Sequence, residues 1–135
     1  MLAGVRALVV DDMEDARALL ESTLRQYGAD IVAVSSAAEA YALITTAAPQ
    51  ELPNVILSDI EMPGEDGHSL IRRVREWEGE RGLYNIPAVA LTAYGRIEDR
   101  VRALNAGFQM HIAKPVEPTE LSLVVKSLIN RGKAS

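Results

Sequence analysis

Ala7-Leu8-Val9-Val10-Asp11-Asp12 is a run of consecutive apolar residues that stops at two carboxylates. An apolar run this short and unbroken reads as a strand buried on both faces, as in a parallel sheet covered by helices. Four more runs have the same character: Ile31-Val32-Ala33-Val34, Val55-Ile56-Leu57, Ala88-Val89-Ala90-Leu91 and Met110-His111-Ile112. The stretches between and after them carry apolar residues at three- and four-residue spacing, which is the signature of a helix with one buried face. Met13, Ala16, Leu20, Thr23, Leu24 and Tyr27 form the first such stripe, stopped by Gly28. Ser36-Ala37-Ala38-Glu39 has capping-box spacing and opens a second helix, which must end before Pro49. Leu70, Ile71, Val74 and Trp77 form the third stripe, and Ile97, Val101 and Leu104 the fourth, closed by Gly107. Leu121, Val124, Val125, Leu128 and Ile129 form the fifth, with Pro118 suited to its first turn. The order is βαβαβαβαβα, and right-handed crossovers make it an α/β fold, a doubly wound five-stranded parallel sheet with five helices.

The five units use the whole of the 135 residues, and at roughly 100–200 residues per domain the expectation is a single domain over 1–135. No stretch is left for an output domain, and Gly132 to Ser135 reads as a loose tail. The chain has no cysteine and two histidines, which excludes a disulfide framework, a thiolate metal site and a cysteine nucleophile and argues against a multi-histidine zinc site. A net charge of −5 argues against nucleic acid or an anionic membrane as the main partner. No apolar run approaches the ~18–20 residues of a membrane span, and residues 1–6 lack the apolar stretch of a secretory signal, so a cytoplasmic location is expected.

In an open α/β sheet, ligands bind beyond the carboxyl ends of the strands. The apolar runs lead there into Asp11-Asp12, Ser35-Ser36, Ser58-Asp59, Thr92-Ala93 and Ala113-Lys114-Pro115. Each polar residue taken alone has a plain explanation: Asp12 and Thr92 as helix caps, Asp59 as a turn residue before Met62-Pro63-Gly64, Lys114 as a solvated lysine. Together they bring three carboxylates, a hydroxyl and an ammonium to one edge. Carboxylates so close repel unless a cation answers them. Few, hard oxygen ligands with room for water suit Mg²⁺. A metal, a lysine and a hydroxyl around a nucleophilic carboxylate suit a phosphoryl group, which the carboxylate takes up as an acyl phosphate.

On these residues the sequence resembles the receiver domains of two-component response regulators, over essentially its full length. The resemblance is carried by Asp11-Asp12, the segment Asp59-Ile60-Glu61-Met62-Pro63-Gly64-Glu65-Asp66-Gly67, Thr92-Ala93 and Lys114-Pro115. It implies a flavodoxin-like sheet of order 2-1-3-4-5. It implies that Asp59 accepts a phosphoryl group from a phosphohistidine on a histidine kinase or histidine phosphotransfer protein. Asp12, Asp59 and the backbone carbonyl of Glu61 would bind Mg²⁺, with Asp11 acting through water. Thr92 would hydrogen-bond the phosphoryl group and shift as it arrives, Lys114 would pair with a phosphoryl oxygen, and the Lys114-Pro115 bond would be cis. The family's usual aromatic three residues before the lysine is His111 here. It is either a histidine half-buried at the end of the fifth strand or an ionisable switch residue partnering Thr92. The face of the fourth helix, fifth strand and fifth helix would meet a downstream protein through Tyr94, Arg96, Arg100, Gln109, His111 and Lys126. Glu65, Asp66 and His68 would rim the site, His68 as a plain exposed helix residue. Such a domain is regulatory and catalyses only its own phosphorylation and dephosphorylation. It stands alone or forms part of a hybrid histidine kinase.

Two other readings compete. A phosphatase of the haloacid-dehalogenase type would carry Asp-x-Asp after its first strand and normally a cap domain, whereas Asp11 and Asp12 are adjacent. A receiver-like scaffold that binds partners without being phosphorylated would not need the full acidic, threonine and lysine set. A flavodoxin is disfavoured because the first strand–helix turn offers carboxylates where an FMN phosphate needs donors.

Overall fold

A computed structural model describes residues 2–93 and 95–133. Five parallel strands, β1 (Arg6–Val10), β2 (Asp30–Val34), β3 (Val55–Asp59), β4 (Ala88–Thr92) and β5 (Met110–Ala113), form one sheet in the order β2-β1-β3-β4-β5. Five helices connect and follow them: α1 (Glu14–Gln26), α2 (Ala37–Thr46), α3 (Gly67–Glu80), α4 (Ile97–Ala106) and α5 (Pro118–Lys133). The expected fold is therefore present. No helix among the described residues is long and apolar enough to cross a membrane. α5 continues through Gly132 and Lys133, where a loose tail was expected, and Ala134 and Ser135 lie outside the described residues.

The alternation of side chains along each strand divides the core in two. Ala7, Val9, Leu57, Val89, Leu91 and Ile112 face Leu20 and Leu24 of α1 and Leu121, Val125 and Leu128 of α5. Leu8, Val10, Ile56, Ala88 and Ala90 face α2, α3 and α4. Every residue of β3 and β4 is buried, which is why both read as unbroken apolar runs. Each fully buried aliphatic side chain contributes about 1.5–3 kcal/mol. The capping box read at α2 is formed, with Glu39 N donating to Ser36 Oγ at 3.1 Å, and at α3 Ser69 N donates to Asp66 Oδ1 at 2.8 Å.

One stripe faces the opposite way from its reading. Ile97, Val101 and Leu104 are exposed (74%, 48% and 51%), and α4 buries Ala103 and Ala106 instead. At about 100° per residue the two sets lie on nearly opposite sides of the helix. The spacing marked an apolar face correctly, but the inner face is made of alanines.

A buried polar network holds the far end of the sheet. Glu78 is fully buried on α3; its Oε1 lies 2.8 Å from Arg75 Nη1 and its Oε2 accepts from Ile86 N at 2.6 Å. Arg75 Nε and Nη2 donate to the Gly107 carbonyl at 3.0 and 2.9 Å. Gln109 Oε1 accepts from Arg75 Nη2 (3.2 Å) and Ala88 N (2.7 Å). The Arg75 guanidinium thereby ties α3 to the turn from α4 to β5, and Glu78 and Gln109 carry the network to the entry of β4. Gly107 permits the turn: its φ is +122°, and a Cβ there would meet Ile71 Cγ2 and Arg75 Cγ at 2.9 Å. Removing one partner of a buried ion pair strands the other, so Arg75→Ala should cost about 3–5 kcal/mol in urea unfolding. A loss below about 1 kcal/mol would show that the guanidinium contributes little to the fold.

Candidate functional site

The strand register brings the polar residues level. Val10 pairs with Ser58, so the residues after them, Asp11 and Asp59, stand side by side where β1 and β3 end. Asp59 pairs with Leu91, which sets Thr92 one step further out on β4. Thr92 pairs with Ala113, and the Lys114 amide donates to the Thr92 carbonyl at 2.7 Å. The Lys114-Pro115 bond is cis, as the resemblance implied.

At this edge Lys114 Nζ lies 3.4 Å from Asp59 Oδ1 and 3.5 Å from Asp11 Oδ2. Asp11 is fully buried, and its Oδ1 also accepts from the Met13 amide at 3.0 Å. Asp12 is half-buried, and carboxylate oxygens of Asp11, Asp12 and Asp59 lie within 4.8 Å of one another. Burial pushes the Asp59 carboxyl above its ordinary range; Asp11 and Asp12 push the same way, and Lys114 only partly opposes them. Three carboxylates and one ammonium leave an excess of negative charge in a poorly solvated place. Oxygen donors in such surroundings suit a hard divalent cation, so the residues present fit Mg²⁺.

The loop from Ile60 to Asp66 follows the carboxyl end of β3 and leads into α3. Ile60 N donates to the Leu91 carbonyl (3.0 Å), and Gly67 N donates back to the Ile60 carbonyl (2.9 Å). A Cβ on Gly67 would stand 2.4 Å from the Asp59 carbonyl oxygen, so glycine is required by close approach rather than by an unusual φ. Glu65 is held by Arg73 (2.5 Å) and Ser69 (2.8 Å), and the Arg73 guanidinium sits 3.9 Å from the Tyr41 ring centre. Glu61 is exposed and lines a cleft of about 480 Å³ with Met62, Pro63, Thr92 and His111.

Two expectations need correction. His68 is buried, at 5% exposure, with its ring edge-on to Phe108, and not an exposed helix residue. Burial pushes its imidazole below the ordinary histidine range. Three residues before Ile71, it falls on the inward face of α3, a spacing that was available in the sequence. Gln109 was expected on an interaction face, but its side chain bonds inward to Arg75 and Ala88. Arg96, Arg100 and Lys126 are exposed, His111 is half-buried, and Tyr94 lies outside the described residues.

Residues 7–126 match the response regulator receiver domain family. The chain is 45% identical to the 14.6 kDa protein in the sodA1 3′ region of Leptolyngbya boryana, an alignment covering 93% of this chain and 90% of that one. It is 35% identical to hybrid signal transduction histidine kinase D of Dictyostelium discoideum, covering 97% of this chain but only 8% of the kinase. Among solved structures, the receiver domain of sensor histidine kinase PA1611 from Pseudomonas aeruginosa, described with a magnesium ion coordinated in its active site cleft, superposes with a TM-score of 0.81 at 30% identity. That superposition covers 95% of this chain and 99% of the other.

The raised Asp59 carboxyl sets a sign for stability. The folded chain retains a proton that the unfolded chain has already released. Stability therefore falls as pH rises from about 3.9 through the folded value, and the loss is complete above it. Asp59→Asn should raise the melting temperature of the metal-free protein at pH 7, by a few °C for each ~1 kcal/mol relieved, and leave it nearly unchanged at pH 3. A lower melting temperature at pH 7 would contradict this electrostatic account.

Proposed function

The chain belongs to the response regulator receiver domain family, and from that premise we propose that Asp59 is its phosphoacceptor, taking the phosphoryl group from a phosphohistidine on a histidine kinase or histidine phosphotransfer protein. The observation that carries this reading is the Lys114 ammonium held between the Asp59 and Asp11 carboxylates, 3.4 and 3.5 Å away. An Asp59 carboxylate oxygen attacks phosphorus; the bond to the donor imidazole nitrogen breaks, and the electron pair leaves with that ring. The acyl phosphate adds about 1.5–2 negative charges beside two remaining carboxylates. Lys114 turns from Asp11 toward the new oxygens, and Thr92 donates its hydroxyl to another. Asp12, Asp59 and the Glu61 carbonyl would hold Mg²⁺, with Asp11 reaching it through water. Bound there, the ion offsets charge on the phosphoryl oxygens and lets the acidic cluster tolerate them.

The movement of Thr92 is the output step. It alters the wall that Thr92 shares with His111, and through it the surface of α4, β5 and α5. Arg96, Arg100 and Lys126, with the outward apolar stripe of Ile97, Val101 and Leu104, give that surface both charge and apolar area for a downstream protein. Receiver domains are regulatory modules, and this one is read as a phosphorylated signalling domain, alone or within a hybrid kinase.

Intact-mass spectrometry after incubation with acetyl phosphate tests the assignment. One added phosphoryl group is expected in the wild type with Mg²⁺, and none without Mg²⁺ or in Asp59→Asn. Lys114→Ala should slow uptake by on the order of 10²-fold, the loss typical of one charge-stabilising donor. Absence of both a mass change and bound beryllofluoride would indicate an unphosphorylated scaffold.

A further inference from the structure

The loop between β3 and α3 has few holds of its own. Its tip turns at Gly64, whose φ is +80°, and Glu61, Pro63 and Gly64 are exposed. Among the described residues, the stretch 61–65 makes no backbone hydrogen bond, and its side-chain bonds to α3 come from Glu65. Both oxygens of that carboxylate are engaged: Oε1 lies 2.5 Å from Arg73 Nη1, and Oε2 accepts from Ser69 Oγ at 2.8 Å. Ser69 and Arg73 stand one turn apart on one edge of α3, and Glu65, one turn before Ser69, reaches back along that edge. The Arg73 guanidinium is braced by the ring of Tyr41 on α2, 3.9 Å from the ring centre, and Tyr41 packs against the core on that side of the sheet.

A surface ion pair between two free side chains contributes little, because each gives up its rotamer freedom to make it. Arg73 differs in that an aromatic face already sets the plane of its guanidinium, so less order is lost when Glu65 meets it. The loop so held carries the Glu61 carbonyl, which would bind Mg²⁺ with Asp12 and Asp59. Its ends are fixed by Ile60 N on the Leu91 carbonyl and Gly67 N on the Ile60 carbonyl, and neither bond reaches the tip. We propose that Arg73 is a positioning residue for the metal site, holding through Glu65 the loop that presents the Glu61 carbonyl. The inference rests on that reading of the metal site. Arg73 touches neither the ion nor the phosphoryl group; it aims a ligand. Through Tyr41, α2 takes part in a site to which it contributes no ligand.

Tether and charge predict opposite signs. Deleting a cation makes the surroundings of Asp11, Asp12 and Asp59 more negative, which by charge alone tightens Mg²⁺ binding. Losing the tether weakens it. Mg²⁺ affinity is read from an amide NMR titration of the metal-free protein. Arg73→Ala should weaken binding by about two- to fivefold, the range of one modest ion pair. Glu65→Gln should weaken it too, and the double variant should be no weaker than the weaker single, because both remove the same tether. By charge alone the two single variants shift affinity in opposite directions and the double returns to the wild-type value. Nitrogen-15 relaxation gives a second readout without metal. Backbone order parameters at residues 62–64 should fall from about 0.85 toward about 0.6 in Arg73→Ala. Arg73→Lys, which keeps the cation and loses the flat contact with Tyr41, should lie between. Tighter Mg²⁺ binding in Arg73→Ala, a double variant weaker than either single, or unchanged order parameters overturns the proposal. A wild type whose Asp59 amide ignores Mg²⁺ sinks the metal site and with it the role given to Arg73, whereas a failed tether in a protein that binds Mg²⁺ sinks that role alone.

Discussion

Lys114 is a single cation with two buried carboxylates to answer, Asp11 and Asp59, and a third carboxylate close by. No arrangement of one ammonium satisfies all three, and burial raises the cost of leaving any of them charged. Much of the molecule is arranged to hold this imbalance in place. Parallel pairing sets Asp11 level with Asp59, and Thr92 one step beyond. The Lys114 amide is bonded to the Thr92 carbonyl, so the lysine cannot drift from the edge it neutralises. The Met13 amide fixes the other oxygen of Asp11. A site built this way is electrostatically incomplete, and an incoming cation meets carboxylates already oriented toward it.

Much of this was legible in the sequence because strand ends are easy to find. A short apolar run stops where the chain leaves the sheet, so the places of Asp11-Asp12, Asp59, Thr92 and Lys114 in the sequence already assign them a common edge. The buried polar residues outside the strand ends were harder. His68 sits three residues before Ile71, and Glu78 four residues after Val74, so both belong to the buried stripe of α3. His68 was read as exposed and Glu78 was not singled out, and only the partners explain their burial: Phe108 for one, Arg75 and the Ile86 amide for the other. Gln109 misled in the same way, since nothing local announces that its amide oxygen accepts from residues 75 and 88.

The fourth helix shows a different limit. Three- and four-residue spacing reports that a helix has an apolar side and says nothing about which neighbour that side meets. In α3 and α5 the neighbour is the sheet. In α4 it is solvent, because Ala103 and Ala106 have taken the inner positions.

That choice of residues has a mechanical meaning. A helix that rests on a sheet through leucines and valines is keyed into it, since each branched side chain fills a particular hollow and cannot leave without opening a void. A helix that rests through methyl groups has no such keys. At about 0.8 kcal/mol for each buried carbon group, alanine contacts hold α4 down weakly, and they present a nearly smooth surface along which it can slide or roll. The body of α4 beside the Thr92 cavity thus lies on methyl groups without such keys, and its hold on the rest of the fold is concentrated at its C-terminal turn, where the Gly107 carbonyl accepts from the Arg75 guanidinium of α3.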